Sequence, residues 1–398
     1  MSTLRHGFTT GSAAAAAAKA ALLLLLHGRA VTRVDVPLPC PHAGEHTDTS
    51  QNRTEPSAPG SNQRLTIAVL RCMPEENGAR AVVVKDAGDD PDVTHGAEIH
   101  ALVHWHPDNG PVNQFRLDLD GGPGVGRVTL PGLAVPVGDA AINPGPREQI
   151  ESAVAEALDG RSGAVRVRIE VPAGRELARR TMNPRLGIVD GISILGTHGI
   201  VRPFSHAAWA ASVSKALDVI RAQGHGFVVF TTGRKSERLY REVFPRVPGR
   251  CLVQAADFFG HAMRAAAKRN FVQVDWSLFF GKLVKQAQGF ENTHAHEADI
   301  DFAALARRVA DAGAAPELIR ETAQANTARQ VLTMLRQEAP PPVLAALLEE
   351  LVRRAETQAQ KYGPGLRVRY AVFDFDGRAL RLPPGSESAR TSETEKLG

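Results

Sequence analysis

The chain has 398 residues, of which 43% are hydrophobic, 23% charged and 5% aromatic. This length and composition exclude a disordered or fibrous protein and favour two or three domains with sizeable cores. The formal net charge of +4 is too small an excess to indicate a nucleic-acid partner. The three cysteines, Cys40, Cys72 and Cys251, form no CxxC pair, so the sequence predicts no disulfide framework, no cysteine zinc site and a cytoplasmic location.

The first predicted element is an Ala-rich helix that follows the residues GFTTGS. Its apolar run at 13–26 follows two basic residues and so resembles a secretory signal. Lys19 interrupts the run, however, and the run is shorter than the roughly 20 apolar residues that span a bilayer. Thr10 or Ser12 can cap the N-terminus of a helix. We therefore predict a buried helix and no membrane partner.

Short β-branched or apolar runs then alternate with Gly- and Asp-rich turns, which predicts an α+β domain with a mixed sheet over residues 1–172. Residues 40–63 are rich in Pro, Ser and Thr without an apolar period, and are predicted to form a flexible insertion. The predicted strands are 31–37, 65–70, 81–84, 99–105, 115–119 and 165–171, and a helix is predicted at 147–158.

In the second half of the chain, predicted strands and helices alternate. Such alternation predicts a Rossmann-like α/β domain with a mostly parallel sheet over residues 173–382, followed by a disordered tail at 383–398. Asp376-Gly377 predicts a hairpin turn. The predicted helices are 206–223, 258–269, 281–288, 300–312, 323–336 and 343–355. The predicted strands are 226–230, 252–255 and 271–274, and the final segment 366–382 contains the hairpin turn.

The glycine-rich segment GGPGVG at 121–126 is the first candidate for ligand binding. It follows a predicted strand, so its backbone N–H groups could approach a carboxylate or a phosphate. A nucleotide-binding loop should lead into a helix, yet Pro131 and Pro136 disfavour one here. A tight turn between strands is the alternative. A loop that contacts a substrate is a third, intermediate interpretation.

The acidic segment KDAGDDPDVTHG at 85–96 is the second candidate. Four carboxylates crowd beside Lys85 and His95, in a spacing that does not match a calcium loop. Such crowding can raise the pKa of one carboxyl group and so suit it to general acid or base chemistry, and His95 could do the same work. A solvated acidic turn is the alternative.

Residues 181–205 place four glycines among Ile and Leu residues. This pattern predicts backbone that turns sharply beneath a bulky flat ligand, with Arg185, Thr197 and Arg202 at its polar rim. A hinge between domains is the alternative.

In the second half, FTTGRKSE places Thr231, Thr232 and Gly233 at the carboxyl end of a predicted strand, where open parallel sheets bind ligands. Asp257 follows the next strand. It could bind a ribose or an ammonium group, or it could cap a helix.

The segment GKLVKQAQGFENTHAHEAD at 281–299 offers Lys282, Thr293 and His294 as polar groups. His294 and His296 alternate along the chain, but no third ligand has a recognisable spacing. The sequence therefore predicts no metal bound by the protein.

Read together, these segments resemble the cobalt-precorrin-5B C1-methyltransferase family of anaerobic cobalamin biosynthesis. The resemblance implies transfer of the methyl group of S-adenosylmethionine to ring carbon C1 of a cobalt-corrinoid, with the cobalt as part of the substrate. The segments that carry it are LRHGFTTGSAAAAAAKAA, KDAGDDPDVTHGA, GGPGVGRVTLPGL, VGDAAINPGPR, NPRLGIVDGISILGTHGIVRPFS, the TTG turn and GKLVKQAQGFENTHAHEAD.

The resemblance, with the chemistry above, gives an expected role to each candidate residue. A proton acceptor is expected among Asp89, Asp90 and His95. S-adenosylmethionine is expected to bind at Thr231, Thr232, Gly233 and Asp257. The macrocycle is expected to bind at Thr9, Thr10, Lys85, Gly122, Gly124, Arg185, Gly196, Thr197, Lys282, Thr293 and His294.

The sequence departs from the family pattern at the insertion 40–63 and at Asp190, His198 and Asp257. Two other functions stay open at this point: a corrinoid carrier or pathway scaffold without turnover, and a kinase that binds phosphate at GGPGVG. The expected partner is a cobalt-corrinoid. An assembly of identical subunits and transient contact with neighbouring pathway enzymes are both compatible with the sequence.

Overall fold

The structure, a computed structural model, describes residues 4–39, 63–108, 110–111, 114–294 and 299–384. The predicted insertion at 40–63 lies outside the described residues except for Gln63, and the predicted tail lies outside them except for Pro383 and Pro384. The chain divides into two compact units, Met1–Ala207 and Ala208–Gly398. The division comes later than the boundary predicted at 172, because residues 188–201 form ladders with strands of the first unit.

In the described part of the chain, the first unit combines one larger mixed sheet with short ladders and helices. Its helices are α1 (Thr10–His27), α2 (Pro144–Leu158) and α3 (Gly174–Ala178). Its strands are β1 (Gly7–Phe8), β2 (Arg33–Pro37), β3 (Arg64–Ala68), β4 (Arg71–Glu75), β5 (Gly78–Val84), β6 (Glu98–Pro107), β7 (Phe115–Gly121), β8 (Gly124–Val125), β9 (Arg127–Val128), β10 (Gly163–Glu170), β11 (Ile188–Val189), β12 (Gly191–Ile192) and β13 (Ile200–Val201).

The larger sheet has the strand order β4-β5-β6-β10-β7. β10 pairs antiparallel with β6 and parallel with β7, which confirms the predicted mixed sheet. Along β10, Val165, Val167 and Ile169 are buried and alternate with more exposed residues. Alternation of this kind is typical of a sheet that covers a core with one face.

Helix α1 is the buried Ala-rich helix that the sequence predicts. The side chains at 13–18 are fully buried, and their small size allows close packing on α2, β5 and β6. Within the described residues α1 is apolar and long enough to cross a membrane, but 67% of it is buried inside the protein. The N-cap is Thr9 rather than Thr10 or Ser12, because the Thr9 hydroxyl accepts the Ser12 N–H at 3.2 Å.

Glu156 of α2 joins the helices of this unit to β3. Its carboxylate accepts hydrogen bonds from Lys19 at 2.6 Å and from Arg64 at 2.7 and 2.8 Å. The Arg64 hydrogen bonds, assisted by Lys19, outweigh partial burial and lower the pKa of Glu156 from 4.5 to about 2.

We expect Glu156→Gln to lower the free energy of unfolding near neutral pH by about 1 kcal/mol, since water screens this partly exposed carboxylate. A lowered folded-state pKa stabilises the fold above pH 4.5, and that contribution is lost as the pH falls toward 2. Denaturant unfolding at several pH values should show the difference between the two proteins narrowing below pH 4.5. Glu151→Gln, at an exposed position of the same helix, is the control. A difference that widens on acidification would contradict the assignment.

The second unit, in its described part, is a sheet with helices between its strands. Its strands are β14 (Phe227–Thr231), β15 (Leu252–Gln254), β16 (Gln273–Phe279), β17 (Arg367–Phe373) and β18 (Ala379–Arg381). Its helices, of which the first begins at the boundary, are α4 (His206–Ala222), α5 (Arg234–Val243), α6 (Phe259–Lys268), α7 (Phe280–Ala287), α8 (Phe302–Asp311), α9 (Pro316–Ala323), α10 (Ala328–Glu338) and α11 (Pro341–Tyr362).

The sheet has the order β15-β14-β16-β17-β18, and only the β17–β18 pair is antiparallel among these strands. The predicted mostly parallel sheet is therefore confirmed. Gly377, with φ of 99°, lies in the turn between β17 and β18, as the hairpin prediction requires. The prediction of a single helix at 323–336 is wrong, because α9 ends at Ala323. Thr327 then accepts the Gln330 N–H and caps a new helix, α10.

Candidate functional site

Three segments of the first unit converge at residues 5–10, 85–96 and 195–204, which we call the loop cluster. β1 pairs with β13, and Phe8 N–H donates to the Asp86 carbonyl at 2.8 Å. Arg5 contacts the acidic segment through the carboxylates of Asp86 and Asp89. Segments that are far apart in sequence therefore lie together.

Thr9, Thr10 and Gly196, all predicted substrate contacts, join the N-terminus of α1 to residues 195–199. Thr10 is 2% exposed, and its hydroxyl accepts the Leu195 N–H at 2.9 Å. A Cβ added at Gly196 would lie 2.3 Å from the Thr9 hydroxyl. These residues hold the segment in place, whereas Thr197 beside them is partly exposed.

Lys85, another predicted substrate contact, is 1% exposed. Its ammonium donates to Asp92 Oδ2 at 2.7 Å, and Thr94 N–H donates to the other oxygen at 2.8 Å. Burial alone would raise the pKa of Asp92, but the Lys85 charge and these hydrogen bonds outweigh it and lower that pKa. Lys85 therefore neutralises one of the crowded carboxylates inside the acidic segment.

The three predicted proton acceptors differ in their surroundings. Asp89 is exposed and accepts the Arg5 N–H at 2.6 Å, whereas Asp90 accepts the Phe204 N–H at 3.0 Å. His95 Nδ1 accepts the Ala87 N–H at 3.1 Å. A neutral imidazole with Nδ1 as acceptor carries its proton on Nε2, so the exposed face of His95 suits a donor better than a base.

The glycines of GGPGVG serve the packing of the chain. β8 pairs with β12, and a Cβ at Gly124 would lie 1.7 Å from the Val171 carbonyl oxygen. A Cβ at Gly122 would lie 2.5 Å from Arg168 Nε. The segment is therefore a tight turn between short strands, which was the structural alternative. Arg185, a further predicted substrate contact, is partly buried. It lies in a short 3-10 helix at Asn183–Leu186, which precedes β11.

In the second unit, Thr231 ends β14, the strand that lies between β15 and β16. The strand order places β15 and β16 on either side of β14, so the switch point at which ligands bind in open α/β sheets lies between β14 and β16. Gly233 is the N-cap of α5, and a Cβ there would meet nothing within 4 Å. The first N–H groups of a helix lack partners within it, so this edge offers open space beside donors for an anion.

Thr231 and Thr232, both predicted contacts of S-adenosylmethionine, differ in their accessibility at this edge of the sheet. Thr231 is fully buried, and its hydroxyl has no hydrogen-bond partner among the described residues. Thr232 is partly exposed, and its N–H donates to Ser236 Oγ at 3.1 Å. Thr232 and Gly233 are thus the accessible pair.

Asp257 follows β15 and belongs to a small polar network. Its carboxylate accepts hydrogen bonds from Lys282 and, at 2.9 Å, from the Thr293 hydroxyl. Lys282 and Lys285 also donate to the Thr293 carbonyl at 2.9 and 3.2 Å. Burial, with the nearby Lys282 charge, lowers the pKa of Lys285. Asp257 is therefore paired already, and the helix cap at this point is Phe258.

Sequence comparisons show to which family these features belong. The CbiD family profile matches residues 1–203, and that of the CbiD C-terminal domain matches residues 292–382. The chain belongs to the CbiD family.

Several curated CbiD relatives carry the name Cobalt-precorrin-5B C(1)-methyltransferase. The chain is 45% identical to that of Nitratidesulfovibrio vulgaris, over 95% of this chain and 92% of the relative. It is 44% identical to that of Rubrobacter xylanophilus, over 94% and 89%, and 40% identical to that of Geobacillus kaustophilus, over 100% and 98%. A solved structure of a cobalamin biosynthesis protein (cbiD) from Archaeoglobus fulgidus is 27% identical over 70% of this chain and 78% of that one, with a TM-score of 0.36.

Lys285, a further polar group that the sequence of the segment 281–299 offers, shares the Thr293 carbonyl with Lys282, three residues before it on α7. In the first unit of this CbiD protein, one residue of the loop cluster is identified only by the structure. Phe204 is 65% exposed beside Asp90, and no local pattern pointed to it. His294 is partly exposed, while His296 lies outside the described residues. Among the described residues, no group of three His, Cys, Asp or Glu could hold a metal.

Proposed function

We propose that this chain transfers the methyl group of S-adenosylmethionine to ring carbon C1 of cobalt-precorrin-5B, giving cobalt-precorrin-6A. The observation that carries the proposal is 45% identity, over 95% of the chain, to a protein named Cobalt-precorrin-5B C(1)-methyltransferase. The similarity extends through both units, since another protein of that name aligns with 100% of this chain.

In this proposal the loop cluster of the first unit binds the macrocycle. A corrinoid precursor is broad and flat and has carboxylates at its edge, so its site needs apolar contact with donors around it. His95 offers Nε2–H at an exposed position, and Arg5 lies beside it on the same surface, partly neutralised by Asp86. Thr197 is a further polar group and is partly exposed.

The carboxyl edge of the second-unit sheet binds S-adenosylmethionine in this proposal. Strands β15, β14, β16 and β17 follow the 2-1-3-4 order of a doubly wound sheet, which makes the unit Rossmann-like in the broad sense. The free N–H groups of α5 suit the carboxylate of the methyl donor, and Gly233 leaves room for it. Thr232 adds a hydroxyl, and Asp257 with Lys282 lies at the end of the neighbouring strand.

The chain contributes mainly by positioning. When bound, S-adenosylmethionine supplies a methyl group on a sulfonium, which leaves with its bonding electrons kept by the sulfur. The acceptor ring carbon must lie in line with that methyl group roughly 3 Å away, so binding in the correct orientation accounts for most of the rate. A proton released from the ring needs an acceptor, and Asp89 is the exposed carboxylate of the acidic segment.

Calorimetric titration with S-adenosylmethionine and S-adenosylhomocysteine, with ATP and magnesium as the control ligand, tests the proposal. We expect both adenosyl ligands to bind and ATP to fail, followed by anaerobic methylation of cobalt-precorrin-5B. Binding of the corrinoid without methylation in the presence of the donor would instead support a carrier. Binding of ATP in place of the adenosyl ligands would overturn the proposed function.

A further inference from the structure

Phe204 has a backbone conformation that is rare for its residue type. Its φ is +56°, in the left-handed region that bulky residues avoid. The other described non-glycine residues with positive φ are Asn, Asp or Ala, so Phe204 is the one aromatic residue among them. The side chain is nevertheless 65% exposed, and burial of the ring therefore does not compensate for the strain. Strain of this kind persists where surrounding contacts impose it, and it is enriched at ligand sites.

A hydrogen bond from Phe204 to the acidic segment holds the backbone at this position. Asp90 Oδ2 accepts the Phe204 N–H at 3.0 Å, across 114 positions of sequence. β13 ends three residues earlier at Val201, where it pairs with Gly7 of β1. Phe204 is therefore held by a strand pairing three residues before it and by a carboxylate at its own N–H.

The loop cluster that contains Phe204 also carries an exposed apolar side chain and an exposed hydrogen-bond donor. Leu195, on the same segment of the loop cluster, is 47% exposed, and His95 of the acidic segment presents an Nε2–H donor. An aromatic ring contributes a large flat contact area at small cost in conformational entropy. An exposed ring whose backbone is held in this cluster is suited to the face of a conjugated macrocycle.

We propose that Phe204 packs against the flat face of the corrinoid, and that Asp90 is a positioning residue that holds Phe204 by its backbone and does not accept the proton. The inference rests on the proposed function, since it takes the macrocycle as the ligand. It assigns Asp90 a different role from the one that its place among crowded carboxylates predicts.

Variants of Phe204 separate its role in binding from a role in folding. Glycine accepts a φ of +56° without strain, so Phe204→Gly should leave the midpoint of thermal unfolding unchanged or raise it. The same variant should weaken binding of cobalt-precorrin-5B, followed by its absorbance change, by about tenfold. Phe204→Tyr keeps the ring and should bind as the parent does. Parent-like binding by Phe204→Gly would overturn the proposal.

Variants of Asp90 separate positioning from base catalysis. Asp90→Asn keeps an oxygen that can accept the Phe204 N–H but removes the basic carboxylate, so we expect its kcat and KM to stay within about threefold of the parent. Asp90→Ala removes the acceptor and should raise KM for the corrinoid by about tenfold with a smaller change in kcat. A fall in kcat for both variants, with corrinoid binding intact, would show a proton acceptor and contradict the proposal.

The failure of the inference can be distinguished from that of the proposed function. Binding of cobalt-precorrin-5B by the parent and its loss in Phe204→Gly would support the inference even if the parent failed to methylate. Methylation by the parent together with parent-like binding by Phe204→Gly would support the function and refute the inference. If the parent bound no cobalt-precorrin-5B, both would be refuted.

Discussion

Gly124→Ala is expected to lower the free energy of unfolding by about 3 kcal/mol or more. The added Cβ would lie 1.7 Å from the Val171 carbonyl oxygen, at a φ of +79° that disfavours any side chain. The surrounding backbone has no room to move, because Gly174 and Gly191 also pack on the Gly124 carbonyl: a Cβ on either would lie 2.0 or 2.3 Å from its oxygen. Denaturant unfolding of the variant and the parent measures the loss.

Gly138→Ala is the matched control for this experiment. Its φ is +97°, so alanine has a comparable backbone cost, but a Cβ there would meet nothing within 4 Å. We expect it to lose only about 1 kcal/mol. The difference between the two variants isolates the steric clash at Gly124. Equal losses would mean that the chain does not need this glycine for packing, and would restore GGPGVG as a candidate ligand loop.

Gly233→Asp is expected to weaken binding of S-adenosylmethionine by at least about tenfold, which corresponds to about 1.4 kcal/mol. The variant places a carboxylate at the N-terminus of α5, where the carboxylate of the ligand is proposed to lie, and like charges repel there. Asp at a φ of 155° has a backbone cost in the folded chain, and the variants below match that cost. Calorimetric titration measures the change in affinity.

Two further variants at position 233 separate charge from backbone strain. Gly233→Ala and Gly233→Asn have the same backbone cost at a φ of 155°, and neither adds charge. We expect both to keep the affinity within about threefold of the parent. Equal affinities of Gly233→Asp and Gly233→Asn for S-adenosylmethionine would show that the carboxylate of the ligand binds elsewhere. The proposed site at α5 would then be wrong.

Much of the fold follows from local pattern, and the elements that were missed show where pattern fails. Strand β10 alternates apolar and polar residues, and α1 is a long apolar run, so both were predictable. β4 is an edge strand with the sequence RCMPE, which has neither alternation nor β-branched residues. α5, with the sequence RKSERLYREV, is mostly charged and buries few residues, so no apolar run marked it.

The candidate site was less predictable because its contacts follow neither a helical nor a strand period, and one of them spans 114 positions. The acidic segment could be identified, but the buried pair of Lys85 with Asp92 depends on tertiary packing. The hydrogen bond from Phe204 to Asp90 and the proton position on His95 likewise depend on backbone groups that approach only in the fold. Residue types and spacing can nominate chemistry, whereas the roles depend on which groups are already paired.

We propose that this chain methylates ring carbon C1 of the corrinoid. The most direct measurement is anaerobic incubation of the purified protein with cobalt-precorrin-5B and S-adenosylmethionine carrying an isotope-labelled methyl group, followed by NMR of the product. We expect one label, at ring carbon C1, and release of S-adenosylhomocysteine. A label at another ring carbon, or no transfer although both ligands bind, would contradict the proposed reaction.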